Sequence, residues 1–130
     1  MNTQTQEIVT SFNDLFCDLL RNIAKIDPES LVGKHLVKIL TTVRDDPIKV
    51  IEIFVIHILP YKDEIDEGND KFFISQRYDG KGEIKADVMV ESLEFKKLWG
   101  KLVPANKQII IQYMKILAQY TQQYFVMCYT

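Results

Sequence analysis

The chain has 130 residues, 47% hydrophobic and 26% charged, with sixteen Lys and Arg against eighteen Asp and Glu for a net charge of -2. That length suits one helical domain over residues 1–130, and that apolar fraction excludes a chain too polar to fill a core. A general nucleic-acid binder draws its non-specific affinity from a cationic surplus on phosphate, which this chain lacks, so nucleic acid is not an expected partner.

Thr5 to Ile26 is expected as the first helix. Ile8, Phe12, Leu15, Phe16, Leu19, Ile23 and Ile26 recur at three- and four-residue steps and so share one face. Asp27-Pro28 ends it, because the residue before proline avoids helical geometry. A second helix is expected from Glu29 to Thr42, with Val32, Leu36, Ile39, Leu40 and Val43 inward. Gly33 should weaken its start by roughly 1 kcal/mol relative to alanine.

Asp46-Pro47 reads as a new start, with Asp46 as cap and Pro47 in the first helical position. The run Ile48 to Leu59 is the most apolar in the chain and rich in Val and Ile, so a buried strand competes with a helix. Its twelve-residue length and Asp-Pro start favour a helix, closed by Pro60.

From Tyr61 the chain turns polar. An irregular insertion is expected at about residues 66–86, either an ordered loop or a short β-hairpin pairing Phe72–Tyr78 with Glu83–Val88 across Asp79-Gly80-Lys81-Gly82. Helix should resume near Asp87 or Val90 and run to Leu102. Pro104 then opens the last and longest helix, to about Tyr124 or beyond. Along it Ile110, Tyr113, Leu117, Tyr120, Tyr124 and Met127 form a heptad-like seam. Ile109, Ile111, Met114 and Ile116 make other faces apolar too, so this helix is expected to touch more than one neighbour. The fold class is thus mainly α, a compact bundle of five or six helices.

No stretch approaches the ~20 apolar residues of a membrane span, and MNTQTQEIVT has neither the basic start nor the apolar core of a secretory signal. Cys17 and Cys128 lie far apart in apolar stretches and read as small buried hydrophobes in a reducing compartment. The expected location is intracellular, with no membrane partner.

The chemistry-bearing patterns fail one by one. Aligning Gly68 with the glycine of a calcium loop puts Asp63 first but Ile65 and Ile74 where oxygen ligands are needed. Asp63, Glu64, Asp66, Glu67 and Asp70 therefore read as a solvated acidic stretch. His35 and His57 belong to no zinc pattern, and His57, about 140° around a helix from Glu52, reads as an interior histidine. None of Ser11, Ser30, Ser75 and Ser92 sits in a nucleophile elbow, and Gly80-Lys81-Gly82 is no phosphate loop. No catalytic residue, metal or cofactor is expected. Lys96, Lys97, Lys101 and Lys107 do gather near Trp99 and Tyr113, as in a single-strand stacking groove. Trp99 also falls in the apolar series of its helix, which favours core packing.

Phe12-Asn13-Asp14-Leu15, Asp46-Pro47, Pro60-Tyr61-Lys62-Asp63-Glu64-Ile65 with Phe72-Phe73-Ile74, Leu98-Trp99 and Ile111-Gln112-Tyr113-Met114-Lys115-Ile116-Leu117 together make the chain similar to a family of small helical proteins encoded by nucleocytoplasmic large DNA viruses. The resemblance runs in order over nearly the whole chain. It implies a mostly helical fold and a setting in the host cytoplasm or the virion, and it carries over no active-site residue.

The functional expectation is a non-enzymatic interaction or assembly protein, bound to itself as a homo-oligomer or to another protein. Tyr113, Tyr120 and Tyr124 are its candidate interface residues. The alternative is nucleic-acid binding through the lysines around Trp99.

Overall fold

The computed structural model describes residues 2–68 and 98–130. Helix α1 spans Thr3–Ile26. Its free amino end is capped by Asn2, whose Oδ1 accepts the Thr5 amide at 2.8 Å and the Thr5 hydroxyl at 2.9 Å. Val9, Phe12, Phe16, Leu19, Leu20 and Ile23 are buried along one face, as the spacing predicts. At Asp27-Pro28 the chain turns, with the Ser30 hydroxyl donating to the Asp27 carbonyl at 2.7 Å.

Ser30 then caps α2, Leu31–Asp45, by accepting the Gly33 amide at 3.0 Å. Val32, Ile39 and Val43 face inward, and the helix is kinked at the exposed His35 (φ -119°, ψ 21°). The apolar third segment is a helix, not a strand: α3 covers Lys49–His57. Ile48, not Asp46, holds its N-cap position, and no side chain caps it. Asp46 instead closes α2, and its carbonyl accepts the Lys49 amide at 3.1 Å. Proline does not end helical structure at position 60. Leu59–Tyr61 makes one 3-10 turn and α4, Lys62–Asp66, follows directly. Gly68 ends that stretch at φ 70°, a conformation that costs glycine nothing.

The hairpin or loop expected at 66–86 falls, from residue 69 on, outside the described residues, as does most of the helix expected before Pro104. Leu98 and Trp99 are helical, but the helix stops short of Leu102, whose amide bonds the Trp99 carbonyl at 3.3 Å in a turn. The last helix, α5, runs Pro104–Tyr129 with Pro104 in its first turn. Five α-helices and no strand are found among the described residues.

Helix α1 packs on both α2 and α5, and α5 also packs on α3 and α4. The centre of the core is aromatic. The Phe54 ring meets Phe12 edge-on at 5.0 Å and Phe16 at 5.8 Å, while Phe12 and Phe16 stack at 6.1 Å. These rings are essentially inaccessible. Burying each stabilises the fold by roughly 1.5–3 kcal/mol, before the further gain from edge-on ring geometry. Among the described residues no helix is long and apolar enough to cross a membrane.

Candidate docking surface

Helix α5 buries Ile110, Ile111, Met114, Leu117, Ala118, Thr121 and Tyr124. Two of the four residues that made its other faces apolar, Ile111 and Met114, are thereby used inside the fold. Ile109 and Ile116 are not, at 45% and 44% exposed, and Val126 joins them at 53%.

Ile109, Gln112, Ile116, Gln119, Gln123 and Val126 are all exposed and follow one another at steps of three, four, three, four and three. At about 100° per residue this stripe lies diametrically opposite the buried face and is about 25 Å long. It carries no charged residue. The only charged residues of α5 are Lys107 and Lys115, both half-buried and off the stripe, and none follows Lys115. A helix face meant only for water is ordinarily charged. This one offers isoleucine, valine and glutamine.

Beside the stripe, the first turns of α1 and the last turns of α5 form an open groove of about 600 Å³. Gln4, Ile8 and Ser11 line one wall; Tyr120, Gln123 and Met127 line the other. Among the described residues Glu7 is the one charged residue along it.

The three candidate tyrosines divide between fold and surface. Tyr120 is half-buried and lines the groove. Tyr113, also half-buried, is tied to α1 by the Asn22 amide, which donates to its hydroxyl at 2.5 Å. Tyr124 is 3% exposed and holds the fold together, because its hydroxyl donates to Glu52 of α3. The other Glu52 oxygen accepts the hydroxyl of exposed Tyr129, which stacks on Phe125 at 5.2 Å. Burial first, and the Glu52 bond second, push the Tyr124 phenol well above its ordinary value. For Tyr129 the order reverses, with the Glu52 bond the main cause of an upward shift. Sequence reading did not single out Glu52 as a tether.

Of the four lysines, Lys96 and Lys97 lie outside the described residues. Lys101 pairs with Asp27 at 3.1 Å, and Lys107 sits over the Trp99 ring, 6.0 Å from its centre. Trp99 is itself buried, so its ring packs in the core rather than lining a groove. Lys62 and Asp66 form an ion pair one helical turn apart at 2.5 Å within the acidic stretch. Among the described residues no group of three or more His, Cys, Asp or Glu side chains is placed to hold a metal ion. His57 is buried, as read from the sequence.

Cys17 is half-buried, and desolvation, the largest cause, raises its thiol above the ordinary range. Cys128 is exposed, contrary to the expectation of a buried residue, because the last turn of α5 faces water on most sides.

No family model matches the chain, and no curated protein or solved structure matches it either.

Proposed function

We propose that this is a non-enzymatic interaction or assembly protein that docks a protein partner, itself or another, on the outward face of α5 and the groove beside it. The observation that carries the reading is the stripe from Ile109 to Val126, exposed, partly apolar and free of charge. Protein interfaces are depleted of charge at their centres in this way. On the sequence resemblance alone, the setting is the host cytoplasm or the virion.

The nucleic-acid reading has less behind it. The charge of Lys101 is already met by Asp27, and Lys107 is engaged with Trp99.

The test is photo-crosslinking with a reactive residue placed at Gln119, on the stripe, or at Lys38, on the exposed side of α2. Protein adducts at position 119 and none at 38 are expected. The absence of any adduct at 119, or equal adducts at both positions, would overturn the reading.

A further inference from the structure

The outward face of α5 has an internal symmetry that points to its occupant. Turned antiparallel about a point midway between Ile116 and Gln119, the stripe meets its own copy with like against like at the two outer pairs of positions. Ile109 falls opposite Val126 of the second copy, Gln112 opposite its Gln123, and Ile116 opposite its Gln119. All six positions are exposed.

In a two-fold interface each surface meets its own copy, so any charge at one position is repeated symmetrically across the contact. A lysine- or glutamate-rich face would have to separate its like charges. Glutamine avoids the problem, because its amide is donor and acceptor at once and can pair with another amide. The stripe has apolar residues at its ends, amides next to them and an isoleucine–amide pair at its centre.

We infer that the partner docked on this face is a second copy of the chain, with the two α5 helices antiparallel and in that register. This deepens the docking reading above and rests on it. The groove between α1 and the end of α5 then receives the Ile109 turn of the partner helix, beside Ile8, Tyr120 and Met127.

The full chain is tested by sedimentation equilibrium on a dilution series, in wild type and three variants at exposed positions whose folding is checked by circular dichroism. Wild type is expected to dissociate from dimer to monomer on dilution. Ile116→Glu places two carboxylates at the centre of the contact and should leave a monomer.

The register is read from Gln112→Glu/Gln123→Lys against Gln112→Glu/Gln123→Glu. The first sets opposite charges across both symmetry-related pairs and should dimerise at least as tightly as wild type. The second sets like charges there and should have a dissociation constant about tenfold larger than the first. Equal weakening of both would overturn the antiparallel register. A wild type that stays monomeric at every concentration would overturn the second copy as partner. Adducts of position 119 with a different protein would leave the docking reading standing, and no adduct at all would remove both.

Discussion

Glu52 on α3 and Tyr124 on α5 are joined by a hydrogen bond from the phenol to the carboxylate, across 72 residues of chain. Tyr129 donates to the other oxygen of the same carboxylate, so one side chain of the nine-residue α3 holds the last two turns of the longest helix. This tether orients the C-terminal half of α5, and with it one wall of the groove.

The first prediction concerns alkaline pH. The ordinary value of a tyrosine phenol is 10.0, and that of Tyr124 is raised in the folded state. The native protein therefore holds this proton more tightly than the unfolded chain. The associated stability is present in full below pH 10.0 and is lost as the pH rises through the raised folded value. Absorbance titration at 295 nm should show a late-titrating phenol, which Glu52→Gln moves to lower pH.

Removing the Tyr124 hydroxyl is a separate test. Tyr124→Phe keeps the buried ring and leaves Glu52 with its bond from Tyr129. The expected loss is about 1–2 kcal/mol in urea unfolding, less than for a buried carboxylate stripped of all partners.

Gly33→Ala distinguishes helix propensity from packing. Propensity alone predicts a gain of roughly 1 kcal/mol in the first turn of α2. The added Cβ, however, would lie 2.3 Å from the Pro28 carbonyl oxygen and 2.7 Å from its carbon. These are backbone atoms of the turn that Ser30 and Asp27 fix, and they cannot swing aside. The variant should be destabilised, by about 1–3 kcal/mol in thermal or urea unfolding.

Phe54 sits at the centre of the aromatic core, edge-on to both Phe12 and Phe16. Phe54→Ala should cost about 3–5 kcal/mol, a large fraction of the stability of a domain this size. Loss of the cooperative thermal transition at moderate temperature would register it.

The two thiols should separate kinetically. Cys128 is exposed, whereas Cys17 is half-buried with its thiol raised by desolvation, so its thiolate is scarcer at neutral pH. A chromogenic disulfide reagent should modify Cys128 quickly and Cys17 slowly, and Cys128→Ser should remove the fast phase.

What could be read from the sequence was what depends on neighbours in the chain. The periodic apolar series of α1 and α2, and the Asp27-Pro28 and Pro104 punctuation, place their helices within a few residues of where they lie. Local signals also erred in local ways. The apolar Leu102 suggested one more helical turn where a turn at Gly100 and Lys101 intervenes, and Pro60 looked like a stop but entered a 3-10 turn.

The surface was harder to read, because it depends on which faces of α5 find partners. Apolar Ile109, Ile111, Met114 and Ile116 look alike in sequence. Only the packing of α1, α3 and α4 separates the two that are buried from the two that are not. The Glu52 tether had no local signature, since a glutamate in an apolar helix gives no sign of a tyrosine far along the chain.

The most direct measurement of the central claim is a methyl NMR dilution series on the intact chain. Docking through the outward face of α5 predicts that the methyl signals of Ile109, Ile116 and Val126 shift with concentration. The buried Ile51 and Ile58, and the exposed Val37 on α2, should stay fixed. Shifts centred on Val37 or on exposed Ile56, with the α5 methyls unchanged, would contradict the account.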